Sequence, residues 1–310
     1  MGLGHKKIVS LLSGLKTFLR SRLKQSIFNE DTRLLAIGTM LSKQQFQMVS
    51  SNINDYEFKI FSQWGDDGII QYLIKNLSIE NTTFIEFGVE DYLESNTRFL
   101  MMHDNWSGFI IDGSNKFIKN LKKYKWYWKY DLRGKCAFIT KDNINSILLS
   151  SGFKSLGILS VDIDGNDYHV LEEIDLGVLN PSIIIVEYNA VFGKDRYITV
   201  PYKEDFVRNN MHYSNLYFGA SLPAFTHVAN NKGYALVGCT IAGNNAYFVR
   251  RDLLNKNVSE LSIEEAFKDS KFRESRNKDY SLSYLRGDTR LAEIKGMPVI
   301  NLLTGEEEEI

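Results

Sequence analysis

The sequence predicts an α/β fold, a doubly wound and mostly parallel sheet with a terminal antiparallel hairpin and an N-terminal helical extension. Three observations predict it. Short, continuous Ile/Val/Leu runs alternate with amphipathic stretches from about residue 60 to 190, the pattern of strands covered on both faces. The Gly/Asn-rich turn Ala242-Gly243-Asn244-Asn245 separates two further apolar runs, the mark of a hairpin. Near the start, Ile8, Leu11, Leu12, Leu15, Phe18 and Leu19 recur at helical spacing.

The elements follow in order. The first helix carries Lys6, Lys7, Lys16, Arg20, Arg22 and Lys24 on or beside its apolar stripe. Such a helix rests on an anionic membrane surface, or docks on its own core or on a sister subunit in a homo-oligomer. A second helix follows Asp31, a residue able to cap it. Asp66 and Asp67 introduce a helix bearing Ile69, Ile70, Leu73, Ile74 and Leu77. Strands are expected at 83–87, 108–112, 137–139, 157–162 and 182–187, with helices at 98–104, 115–123, 143–150 and 167–174 between them. Residues 234–237 and 246–249 form the hairpin. The remaining residues are charged and mixed, and Glu306 to Glu309 read as a solvated, frayed tail. Three regions result: an extension at 1–55, a central domain at 56–255 and a charged C-terminal extension at 256–310.

Composition narrows the function classes. The 310 residues carry 37 Lys+Arg and 38 Asp+Glu, a net charge of −1, so no basic field points to nucleic acid. Two cysteines make neither a disulfide framework nor a zinc cluster. No apolar run approaches the roughly 20 residues of a membrane span, and no signal-peptide pattern opens the chain. The expectation is a cytoplasmic enzyme, peripheral at most to the inner face of the membrane. Lys122 to Tyr130 interleaves cations with aromatics, which suits sugar faces or single-stranded bases, or else packs inward.

In an open parallel sheet, ligands bind beyond the carboxyl ends of the strands. Here those ends carry acids: Glu86 to Glu90 around Gly88, Asp112-Gly113-Ser114, Asp162-Ile163-Asp164, and Glu187-Tyr188-Asn189. Each acid alone is explained as a helix cap; four strand ends together mark a rim. The first turn has Gly88 but no further glycines, and Glu90, Asp91 and Glu94 follow it. Acids at that position repel a pyrophosphate and tolerate a cation without phosphate, such as the sulfonium S-adenosylmethionine.

Phe84-Ile-Glu-Phe-Gly88, Ser95-Asn-Thr97 and Gly108-Phe-Ile-Ile-Asp-Gly113 resemble class I S-adenosylmethionine-dependent methyltransferases. Phe61-Ser-Gln-Trp-Gly-Asp-Asp-Gly-Ile69 and Ser160-Val-Asp-Ile-Asp-Gly-Asn-Asp-Tyr168 resemble the FkbM-like branch, and the resemblance spans roughly residues 58–250. It implies a Rossmann-like, seven-stranded sheet with a reversed last strand. It places Glu86 and Gly88 at the methionine moiety, with Glu90, Asn96 and Thr97 in the same turn. Asp112 with Gly113 would meet the ribose, Ser114 the adenosine, and the loop at Asp142 and Asn143 the adenine. Gln63 would close over the cofactor.

Methyl transfer needs an aligned acceptor whose oxygen has been made nucleophilic, by a base or by a divalent metal. Asp162, Asp164, Glu187 and Asn189 offer hard oxygen ligands for Mg²⁺ or Mn²⁺, and Asp162 also borders the cofactor. Among the histidines, His212 in a polar loop is preferred to His169 as the base, with Asp162 and Asp164 as its catalytic company. The expected reaction is O-methylation of a saccharide or related small molecule, in surface-polysaccharide synthesis. Two rivals stand: a metal-dependent glycosyltransferase using Asp162 and Asp164, and a non-catalytic subunit of the same fold.

Overall fold

The computed structural model describes residues 30–310. The basic amphipathic helix expected before residue 30, with its membrane or subunit contact, lies outside the described residues. Residues 30–44 are helical (α1). Asp31 does not cap this helix: its carboxylate is buried in an ion pair with Arg98 at 2.8 Å.

Strands and helices then alternate. In order come α2 (Asp66–Asn76), β1 (Thr83–Phe87), α3 (Arg98–Asp104), β2 (Ser107–Asp112), α4 (Asn115–Leu121) and β3 (Leu132–Cys136). Next are α5 (Ile144–Leu149), β4 (Ile158–Val161), α6 (Asp167–Glu173), α7 (Leu176–Leu179) and β5 (Ile183–Glu187). The short β6 (Ile198–Thr199), α8 (Arg208–Met211) and α9 (Leu222–Asn231) precede the hairpin β7 (Tyr234–Cys239) and β8 (Asn245–Arg250). The chain finishes with α10 (Ile263–Ala266), α11 (Asp288–Glu293), β9 (Pro298–Asn301) and β10 (Glu307–Glu309).

The main sheet has seven strands in the order β3-β2-β1-β4-β5-β8-β7. β1 to β5 are parallel, whereas β8 runs antiparallel to both β5 and β7. This is the Rossmann-like sheet with one reversed strand that the family resemblance implies. Side-chain alternation divides its core. Ile85, Ile111, Leu159, Ile184 and Phe248 pack on one face with Ile144, Val170 and Phe225 of α5, α6 and α9. Phe84, Ile110, Ile158, Ile183 and Tyr247 pack on the other with Ile69, Leu73 and Leu100 of α2 and α3. Both faces are therefore dry, which is why the central strands read as unbroken apolar runs.

Three expectations change. The strand placed at 137–139 is displaced: β3 is Leu132–Cys136, and 137–139 is the loop after it. As an edge strand it carries Arg133 and Lys135, so no apolar run marks it. The helix α9 and a second sheet, β10-β9-β6, were not anticipated. The acidic tail is not frayed; Glu307–Glu309 pairs with Pro298–Asn301, and Glu308 meets Arg196 at 2.8 Å.

The Lys122 to Tyr130 segment packs mainly inward. Trp126 is buried, with Tyr124, Tyr127 and Tyr130 against the same core, and Trp128 stands out, 79% exposed. Among the described residues, no helix is long and apolar enough to cross a membrane.

Candidate active site

The chain winds in opposite directions from β1: β2 joins one side and β4 the other. Such a reversal leaves a crevice at the strand tips. Gly88 ends β1 there with φ +68°, and a Cβ on it would lie 1.8 Å from the carbonyl oxygen of Asp162. Glycine is thus required by both backbone conformation and close approach. Two adjoining cavities, of about 440 and 270 Å³, open at this point and share Gly88, Glu90, Asp162 and Asp164. Their size suits a cofactor or drug-sized ligand.

The smaller cavity has an apolar shelf, with Asp112 at its edge and the shared acids Glu90, Asp162 and Asp164 on the side toward the larger cavity. Ala137, Phe138 and Ile139 form the shelf, and Asp112 with Gly113 forms its edge. Asp112 accepts from the backbone N–H of Glu90 at 2.8 Å and of Ser114 at 2.6 Å, one bond per carboxylate oxygen. Each oxygen keeps acceptor capacity toward the cavity. Glu90, held by Asp112, adopts φ +46° and lines both cavities. Asn143 fixes the shelf loop by accepting from Thr140 N and donating to Phe138 O, both at 2.9 Å.

The larger cavity is acidic. Glu86 lies at its base, and one of its oxygens accepts from the hydroxyls of Ser95 and Thr97 and the N–H of Thr97. Its second oxygen accepts from Asn96 N at 2.8 Å. Burial raises the pKa of Glu86, against these stabilising bonds. Asn96 lines the wall, whereas Thr97 is fully buried below it, in no contact with either cavity. Asp67 and Asp167 fold the flanking loops. Asp67 accepts from the N–H groups of Ile60, Phe61 and Ser62, and Asp167 from those of Ile163 and Gly165.

Asp162, Asp164 and Glu187 converge, with one oxygen of each within 4.8 Å of the others. Burial, then the neighbouring carboxylates, raise Asp162 and Glu187 well above the usual range. One oxygen of Glu187 is buried without a hydrogen-bond partner. Arg208 supplies the counter-charge. It donates to Asp164 at 2.7 Å, to Glu274 and to the carbonyl of Asn215, and its guanidinium lies 3.5 Å from the centre of the Phe218 ring. Asp164, at φ +57°, is held in the left-handed region beside it.

Several sequence-predicted residues fall elsewhere. Asn189 lines neither cavity; it donates to the carbonyls of Leu216 and Phe218 and accepts from Val191 N, which leaves it no role as a metal ligand. His212 is turned into its own loop, its Nδ1 beside Ser214 Oγ at 2.7 Å and its ring against Tyr213. His169 is buried with Nε2 donating to Val200 O. Neither His212 nor His169 lines either cavity. Asp142 is exposed and off the shelf, and Ser114 contributes its backbone N–H rather than its side chain. Gln63 is at the mouth, where its side chain accepts from Trp64 Nε1.

The sequence reading missed Arg208, Glu274 and the stacked pair Trp64–Phe272, whose ring centres are 5.9 Å apart. None sits at a strand end. Arg208 is on a four-residue helix and Phe272 in a segment of mixed charge, so no pattern singled them out.

No protein-family model matches the chain, and no curated protein matches it. Solved structures similar to it include the CMeT domain of the citrinin polyketide synthase, at 15% identity and TM-score 0.37, covering 60% of this chain and 51% of that one. A second is an S-adenosylmethionine-dependent methyltransferase from Clostridium acetobutylicum ATCC 824, at 10% identity and TM-score 0.36, covering 69% and 96%. A third is TehB from Haemophilus influenzae, at 8% identity and TM-score 0.32, covering 56% and 58%. The chain thus spans about half the length of the first. These likenesses are distant, and the fold rests on the order and direction of the chain's own strands.

Proposed function

We propose that this protein is an S-adenosylmethionine-dependent methyltransferase that methylates a hydroxyl oxygen of a carbohydrate or related small molecule. The observation that carries the reading is the pairing of an apolar shelf edged by Asp112 with an acid-lined chamber across Gly88. Asp112 retains acceptor capacity for ribose hydroxyls, and the shelf offers a flat apolar surface to a base. The acids around Glu86 and Asp162 suit a cationic centre, and the amides of Gln63 and Asn244 are uncharged donors for a carboxylate tail.

Bound S-adenosylmethionine supplies an electrophilic methyl group whose bonding pair leaves with sulfur as a neutral thioether. The Asp162–Glu187 pair takes the acceptor's hydroxyl proton as the new C–O bond forms. Asp162, Asp164 and Glu187 also have the hard oxygen donors to hold Mg²⁺ or Mn²⁺, an ion that makes a hydroxyl easier to deprotonate.

Calorimetric titration with S-adenosylhomocysteine and, separately, with uridine diphosphate tests the reading. The first should bind and the second should not. Asp112→Ala should weaken S-adenosylhomocysteine roughly tenfold to a hundredfold, the loss of about one hydrogen bond to a charged group. Binding of the diphosphate alone would favour the glycosyltransferase; turnover in excess chelator would remove the ion.

A further inference from the structure

We infer that the outer end of the acidic cavity is an acceptor subsite, roofed by residues 268–276, that takes an uncharged or cationic ring and rejects acids and phosphate esters. The inference rests on the methyltransferase reading and adds the acceptor's charge and the residues that select it.

The roof is built from far along the chain. Phe272 stacks on Trp64 with an interplanar angle of 24°, and both line the cavity as a two-ring apolar wall. Glu274 lines it too and is bonded to Arg208, which in turn holds Asp164. Main-chain bonds at both ends fix the segment: Lys271 N donates to Ala242 O at 2.8 Å and Arg276 N to Ser214 O at 3.2 Å. The roof is therefore part of the folded site.

Its charge is one-sided. Among the described residues, Arg208 is the only lysine or arginine lining this cavity, and its ion pairs are with Asp164 and Glu274. Glu90, Asp91 and Glu187 line it with no ion-pair partner among the described residues, and Glu94 has only Lys59 at 3.4 Å. Glu187 lines the cavity, and one of its oxygens is buried without a hydrogen-bond partner. A hydroxyl or an ammonium placed beside these acids can donate to them. A second carboxylate or a phosphate meets mainly like charge, because Arg208 is already engaged by Asp164 and Glu274. Aromatic faces beside such donor-seeking acids suit a saturated ring with one apolar face.

The test uses the full chain saturated with S-adenosylhomocysteine. Saturation-transfer NMR compares p-nitrophenyl β-D-glucopyranoside, its 2-amino-2-deoxy analogue and the corresponding glucuronide. The first two should show transfer, and the glucuronide should bind at least tenfold more weakly. Phe272→Ala should cut transfer to the neutral probe at least threefold with S-adenosylhomocysteine affinity within twofold of the parent. The double variant Asp91→Asn/Glu94→Gln should recover glucuronide binding, which a purely structural role would not do. Equal binding of all three probes, or unchanged transfer in Phe272→Ala, overturns the inference alone. Failure of S-adenosylhomocysteine to bind overturns the methyltransferase reading, and this inference with it, before any glycoside is added.

Discussion

Asp67 gathers three backbone N–H groups on one carboxylate oxygen while its other oxygen is buried without a partner. Burial outweighs those bonds and raises its pKa from 3.8 to about 7. The folded chain therefore keeps a proton that the unfolded chain releases above about pH 4, and stability falls as pH rises from about 4 to about 7. Asp67→Asn retains an oxygen for the three N–H groups and carries no titration. Urea midpoints at pH 5 and pH 8 should differ by less in this variant than in the parent; an unchanged difference would mean that the slope arises elsewhere. Residues of this kind were half legible. The acids at 86, 112, 162 and 187 were found because strand ends are set by hydrophobic pattern, and pattern is in the sequence. What the carboxylates bond to was not, because partners such as Arg208, which holds Asp164, come from segments too short to show a period. The same gap explains Asn189 and His212, whose residue types suited a role that their loop geometry assigns elsewhere.

The tips of β1 and β4 form one unit, joined where Gly88 meets the backbone of Asp162. Gly88→Ala brings a Cβ against that carbonyl at a positive φ, and should destabilise the fold by at least about 2 kcal/mol. It should also abolish S-adenosylhomocysteine binding under conditions where circular dichroism still reports folded protein. Wild-type affinity in that variant would detach the first turn from the site. Elements buried on both faces were legible to within a residue or two: β1, β2, β4 and β5 all match their apolar runs. Edge and satellite elements were not. β3 carries polar residues on its exposed side, and β6 has two residues, too few to show a period. The helix α9 did leave a signal: Ser221 caps it by accepting from Ala224 N, and Pro223 stands in its first turn.

At the scale of the molecule, the small sheet binds the chain's last residues to its middle. β6, β9 and β10 lie over Phe206, Leu216 and Phe218, with Ile294 and Val299 fully buried among them. Removing residues 296–310 strips that cover and should lower stability by roughly 3 kcal/mol, the burial of one or two aliphatic side chains. A urea midpoint equal to that of the full chain would mean that the tail is dispensable. The parallel sheet and its acidic rim were legible at this scale, while the roof over the rim was not, because it depends on contacts between segments more than 60 residues apart, as between Arg208 and Glu274. The place of β8 has a consequence for assembly. It is made after β7 yet lies between β7 and β5, so β7 has no edge to join until residue 250 exists. During synthesis from the N-terminus, β5 must wait as an open edge, with its backbone groups unpaired on that side. The nascent chain is most exposed to wrong pairing in that interval, and the final hairpin closes it in a single insertion.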